Sequence, residues 1–227
     1  MKRFASLFVT AAAGLSFCGT AQAGPDWVER GDAGSVLGGA QLTLGEGSIR
    51  TIQGTLSGAL LGPGADFEDM FIISIAEPAT FSFTTANANF DSTMYLLNIT
   101  QGNEAFGLLG ADDVGESSGA ILTGVATDGS GAQVTNPGLY ALVVTFSGNR
   151  CQSRTGNIFR FDTPTEITGP DGIGGTNPHE GWANDGSFSG GEYVIDIVGV
   201  EFAEVPAPGG VMLAGIAGLI AARRRRA

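Results

Sequence analysis

The chain has 227 residues, 37 of them glycine without a fixed period, a length and composition that suit one domain with targeting segments and exclude collagen and simple repeats. Lys2, Arg3 and Arg223 to Arg226 hold six of the 11 basic residues, so the segment between them carries five basic against 23 acidic residues, a balance of −18 with no lysine. That charge repels phosphate backbones and excludes nucleic acid as a partner, while it suits divalent cations.

In chain order, residues 1–23 read as a secretory signal peptide. Lys2 and Arg3 supply the positive start, Phe4 to Cys18 the apolar stretch, and Ala21-Gln22-Ala23 the cleavage site. The expectation is an N-terminal signal helix, Sec-type export and a mature start at Gly24. Cys18 leaves with the leader, so Cys151 has no intrachain partner and is expected to be buried.

Residues 24–47 are Gly- and Asp-rich and predict an irregular lead-in with one edge strand at most. From 48 to 204 the chain breaks into short β-type runs. Ser48 to Gly54 is rich in Thr and Ile and leads into a turn at Gly62-Pro63-Gly64. Met70 to Ile75 is apolar, Thr80 to Thr84 alternates at period two, and Thr93 to Ile99 and Ala105 to Gly110 follow. Leu139 to Phe146, after Asn136-Pro137-Gly138, reads as a buried strand, and Glu192 to Phe202 alternates and closes the domain. Residues 149–191 read as a loop-rich insertion, with Gly169 to Gly175, Asn177-Pro178 and Asn184 to Gly186 as its turns. Frequent short strands, with no soluble helix beyond a turn or two, predict an all-β antiparallel sandwich or barrel.

The order Asp66 to Ile75, Phe81 to Thr85, Phe90 to Leu97, Gly110 to Asp113 and Asn136 to Tyr140 is similar to bacterial pre-peptidase C-terminal domains. The resemblance covers about Gly54 to Phe146. It implies a jelly-roll-like β-sandwich with an accessory or binding role and no catalysis; the long insertion from Asn149 departs from that compact pattern.

The last segment, 205–227, has three parts in order: Val205-Pro206-Ala207-Pro208, an uncharged apolar run from Gly209 to Ala222, and Arg223 to Arg226. At ~1.5 Å per residue such a helix reaches roughly 21 to 27 Å, a marginal transmembrane span against about 30 Å of hydrocarbon. The arginines would stay cytoplasmic. This tail resembles the PEP-CTERM sorting signal, with Ala207 where that family usually has Glu. The sorting motif is then Val205, Pro206, Pro208, Arg223, Arg224, Arg225 and Arg226. The resemblance implies an exosortase-like membrane protease as partner, transient residence in the inner membrane, and delivery to the cell surface or outside. A plain C-terminal anchor is the alternative. Gly210, Ala214, Gly218 and Ala222 form a small-residue stripe suited to close helix contact.

Acidic residues at strand ends and turns are the candidate metal ligands: Asp69, Asp91, Asp112 and Asp113, with Glu68 beside them. Calcium takes 6–8 oxygen ligands, which loop carboxylates and carbonyls supply; the competing reading is that Asp simply favours turns. His179 is the only histidine, so zinc from one His and one lone Cys is excluded, and no Gly-x-Ser-x-Gly elbow supports a triad. The chain reads as a non-enzyme; a carbohydrate-binding module is the first alternative, and a secreted hydrolase, built on a converging acid pair or a His179-centred site, is the second. Trp182 and Tyr193, with Phe188, are a candidate glycan-stacking platform for an extracellular polysaccharide, against the alternative that they cap the core. Arg150, Arg154 and Arg160 either pin the insertion to the acidic sandwich or contact an anionic polysaccharide.

Overall fold

The computed structural model describes residues 26–58, 66–85, 88–113, 118–184 and 188–203. The signal segment 1–23, the turn at 62–64 and the sorting segment 205–227, with its expected transmembrane helix, lie outside the described residues. Among the described residues no helix is long and apolar enough to cross a membrane. Apart from one 3-10 turn at Leu37–Gly39, the regular structure there is strand, so the fold is all-β.

The strands are β1 (Trp27–Val28), β2 (Gln41–Leu42), β3 (Thr51–Thr55), β4 (Glu68–Ile75), β5 (Ser82–Thr84), β6 (Ser92–Ile99), β7 (Ala105–Ala111) and β8 (Ile121–Thr123). They continue with β9 (Gly138–Phe146), β10 (Asn149–Ser153), β11 (Gly156–Asn157), β12 (Ile167–Thr168), β13 (Gly181–Asn184), β14 (Glu192–Val198) and β15 (Val200–Phe202). One sheet runs β1-β3-β14-β5-β8, and a larger one runs β12-β7-β6-β9-β4-β15 with β2 also paired to β4. Both are mixed rather than purely antiparallel, because β1 joins β3 and β2 joins β4 in parallel. The cause is the lead-in. It places one two-residue strand on each sheet, and neither is joined to its neighbour by a hairpin, the connection that antiparallel pairing allows.

The two sheets enclose one apolar core in a sandwich-type arrangement. Phe71, Ile73, Met94, Leu96, Leu142 and Val144 face Ile52, Phe83, Leu122, Tyr193, Ile195 and Ile197 across it. β14 alternates buried and exposed side chains, as a strand with one wet face should. The central strands of the larger sheet do not. Every residue from Tyr140 to Phe146 on β9 is buried, as are Ser92 to Leu97 on β6. Their second face meets a second apolar cluster, in which Met70, Ile72, Tyr95, Leu97 and Val143 pack against Cys151, Ile158 and Phe159.

That second cluster redefines the segment 149–191. It is not simply a loop-rich excursion: β10, β11 and β13 form a third sheet in the order β11-β10-β13, and β12 extends the larger sheet at β7. Cys151 sits in this layer, 1% exposed, and burial pushes its thiol well above the usual range. Among the described residues no salt bridge from these arginines reaches the sandwich. Arg160 pairs with Asp162 at 3.1 Å and Asp171 at 3.6 Å inside the insertion, Arg154 bonds Asn177 Oδ1 at 3.3 Å, and Arg150 lies 5.4 Å from the Phe161 ring centre.

The run Glu192 to Phe202 also differs from its expected single strand. It is cut at Gly199 into β14 on one sheet and β15 on the other. Gly199 has φ +73°, and a Cβ there would meet the Phe81 backbone at 3.0 Å. Only glycine adopts that conformation freely, and the corner lets one segment close both sheets.

Two substitutions test this architecture. Leu142→Ala, at a fully buried central position, lowers unfolding free energy by about 2–5 kcal/mol in denaturant titration. Gly199→Ala costs about 1–3 kcal/mol despite adding only a methyl, because the corner backbone is strained for any side chain.

Candidate functional site

The predicted calcium ligands fall into two groups. Asp91, which precedes β6, and Asp112 and Asp113, which follow β7, meet because β6 and β7 are paired neighbours, with Met94 opposite Ala111. Carboxylate oxygens of the three lie within 4.8 Å of one another. Asp112 is 6% exposed, and both of its oxygens are occupied: Thr93 Oγ1 donates to Oδ1, and Ser147 Oγ donates to Oδ2 at 3.4 Å. The Asp91 carbonyl accepts from Ser147 N at 2.8 Å, and Asp113 N donates to the Pro164 carbonyl at 2.8 Å. The acidic turn is therefore stitched to β6, β9 and the insertion by its own hydrogen bonds. Partial burial, with the neighbouring aspartates, raises the Asp91 and Asp113 carboxyls.

Asp69 does not join this group. It lies at the same end of the larger sheet but two strands away, level with Val144 and Met94, and its neighbours are Asp32 and Asp66, with ligand atoms of those three within 4.8 Å of one another. Glu29, from the end of β1, belongs to the same neighbourhood: its Oε1 accepts from Ala33 N at 3.2 Å and its Oε2 from Thr55 N at 3.0 Å. Glu68 accepts from Asn149 Nδ2 at 2.9 Å, and burial pushes its carboxyl up to about 7. Burial also raises Asp69, Glu29 and Asp66, reinforced by their negative neighbours. Glu29 and Asp32 escaped the sequence reading. The signal was there as Glu29-x-x-Asp32 and Asp66-x-x-Asp69, but 33 residues separate the halves and no spacing rule joins them.

The aromatic residues form no shared exposed platform. Tyr193 is 1% exposed within the inter-sheet core, and its hydroxyl donates to Asp69 Oδ2 at 2.5 Å. Trp182 lies in the third layer, where its Nε1 donates to the Ser35 carbonyl at 2.6 Å and its ring packs on Tyr95 and His179 at 5.6 and 4.9 Å. Phe188 packs edge-on against Phe67 and Phe146, each at 5.1 Å, and so closes one end of the core.

His179 is buried, and desolvation, opposed by a backbone contact with Gly181, holds it down at about 4, so it is neutral at pH 7. Between Arg150, Arg160, Phe159 and Phe161 lies a recess of about 350 Å³, also bordered by Gly172 and Ile173. Comparison with family models, curated proteins and solved structures finds no match to this chain.

His179 supplies a pH test. Its folded-state value lies below its ordinary 6.5, so the folded protein binds the proton less readily than the unfolded chain. Its contribution is complete above about pH 6.5 and is lost as pH falls toward 4. His179→Phe removes that loss, so the difference between wild-type and variant unfolding curves changes by up to about 3 kcal/mol across this window. A pH-independent difference would show that His179 does not titrate there.

Proposed function

We infer that this chain is an exported, non-catalytic component of the cell surface or extracellular matrix, sorted through its PEP-CTERM-like tail. The observation that carries this reading is the bracketing of a −18 β-sandwich segment by a leader-type sequence and a Pro-apolar-Arg tail. A strongly acidic surface keeps such a domain soluble outside the cell and away from nucleic acid. The jelly-roll-like, pre-peptidase C-terminal resemblance agrees with a two-sheet core and an accessory role. On this reading the partners are an exosortase-like protease and, transiently, the inner membrane.

The test is mass spectrometry of the protein recovered from cells that carry an exosortase. The expected product starts at Gly24 and has lost Arg223 to Arg226. A product that keeps all four arginines in the membrane fraction points instead to a permanent anchor.

One observation favours polysaccharide as a ligand, at a different place from the Trp182 and Tyr193 pair. The recess joins Arg150 and Arg160, the latter also paired with Asp162 and Asp171, to aromatic walls in an otherwise acidic segment. This chemistry suits a uronate-bearing chain, since guanidinium recognises carboxylates in bidentate fashion. In affinity electrophoresis a polyuronate gel retards the wild type and not Arg150→Ala. Equal mobility of both leaves the recess a structural feature.

A further inference from the structure

Asp32, Asp66 and Asp69 bring carboxylate oxygens within 4.8 Å of one another, and Glu29 lies against the same spot. Two ligand oxygens that each sit about 2.4 Å from one calcium ion are at most about 4.8 Å apart, so this separation is that of a common coordination shell. The buried member of the group is not satisfied by the protein. Asp69 is 0% exposed, and its Oδ1 has no hydrogen-bond partner, although its Oδ2 accepts from Tyr193. Asp66 repeats the pattern: Oδ2 accepts from Ser57 N at 3.0 Å, while Oδ1 is buried and unpartnered. Among the described residues, the ion pairs are Arg50 with Asp26 and Arg160 with Asp162 and Asp171; none reaches this cluster.

The acidic turn at Asp91, Asp112 and Asp113 is the contrast. There the buried carboxylate has both oxygens bonded by Thr93 and Ser147. Here the cluster adjoins a solvent-open recess of about 460 Å³, lined by Glu29, Asp32, Asp66, Gln53, Thr55 and Ser57 among others, with the buried Asp69 behind it. An orphaned buried carboxylate oxygen costs free energy unless something positive occupies its vicinity.

We propose that Glu29, Asp32, Asp66 and Asp69 form a calcium site that clamps the lead-in onto the sandwich. The recess leaves room for water and for the Gln53 side chain to complete the shell. Calcium fits better than magnesium because the carboxylates come from two separate segments, and calcium accepts 6–8 oxygen ligands in flexible geometry whereas magnesium demands a near-ideal octahedron. The consequence is mechanical. Glu29 and Asp32 belong to the lead-in, whereas Asp66 and Asp69 belong to the start of β4. The lead-in also buries Trp27, accepts Met70 N at the Gly34 carbonyl at 3.1 Å, and supplies the Ser35 carbonyl for Trp182. A bound ion therefore locks the lead-in against both the sandwich and its third layer. Export into a calcium-containing medium would complete the fold. This site is independent of how the tail is processed.

The lead-in contains a built-in reporter. Arg30 is exposed and is followed by Gly31, and the exported segment has no lysine, so trypsin cleavage at Arg30–Gly31 reads the clamp directly. The experiment uses the exported full chain, stripped with chelator and then exposed to calcium chloride, magnesium chloride, or sodium chloride at matched ionic strength. Expected are at least tenfold slower cleavage at Arg30–Gly31 and a melting midpoint several degrees higher in millimolar calcium, with neither effect in sodium and a much weaker one in magnesium. Asp32→Asn with Asp66→Asn removes two of the converging charges without removing volume; this variant folds, and both calcium effects disappear. Asp91→Asn with Asp113→Asn keeps the protection at Arg30. Calcium-insensitive cleavage in the wild type, protection that survives in Asp32→Asn/Asp66→Asn, or protection matched by sodium overturns the proposal.

Discussion

The β4–β9–β6 ribbon is buried on both faces, and the rest of the structure depends on that. Phe71, Ile73, Leu142, Val144 and Leu96 point into the inter-sheet core, while Met70, Ile72, Val143, Tyr95 and Leu97 point the other way. One covering layer would leave the second set in water, at a cost of ~25 cal/mol for each Å² of apolar surface. The smaller sheet covers the first face. The segment that follows β9 folds back as β10, β11 and β13 to cover the second, joined by Ile158, Phe159 and Cys151. The insertion is thus a structural layer, and its Gly and Pro turns are the corners of a small sheet.

Double-sided burial also explains where the acidic residues gather. The middle of the ribbon is apolar on both faces, so the carboxylates collect at one end of it, where β4 and β6 begin and β7 finishes. There β6 and β7 bring Asp91 toward Asp112 and Asp113, and local hydroxyls satisfy the buried member. Two strands away at the same end, β4 begins beside the lead-in, and Asp66 and Asp69 meet Glu29 and Asp32. There, two ionised carboxylates within 4.8 Å would repel by about 3 kcal/mol at an effective dielectric near 20. One end of the sheet thus carries two acidic groups with different environments: hydrogen bonds from the chain at Asp112, and buried carboxylate oxygens without a partner at Asp66 and Asp69.

Much of the β architecture was legible in the residues. Apolar runs marked β4, β6 and β9, period-two alternation marked β14, and the turn at Asn136-Pro137-Gly138 marked the entry to β9. The weak points have physical causes. The strands in 149–191 are two to five residues long and rich in Gly, Asn and Ser, so their pairing comes from the apolar face they cover and not from local propensity. The run from Glu192 to Phe202 alternates throughout, and only the close approach of Phe81 to Gly199 divides it between two sheets. Tyr193 was open between a glycan-stacking and a core-capping aromatic; its alternation with Ile195 and Ile197 was the signal for the core, where it is 1% exposed.

By itself the sequence determined the class of fold, the positions of the longer strands, the acidic balance of the middle segment and the three-part order of the tail. Those are properties of composition and short-range pattern, and they survive without knowledge of contacts. Tertiary structure alone decided which carboxylates share a site. Asp69 was grouped with Asp91, Asp112 and Asp113 as an acidic turn residue, and the fold instead places it with Glu29, Asp32 and Asp66. Charge convergence depends on which strand ends lie side by side, and that is set by burying Phe71, Leu142 and their neighbours, far from any acidic residue.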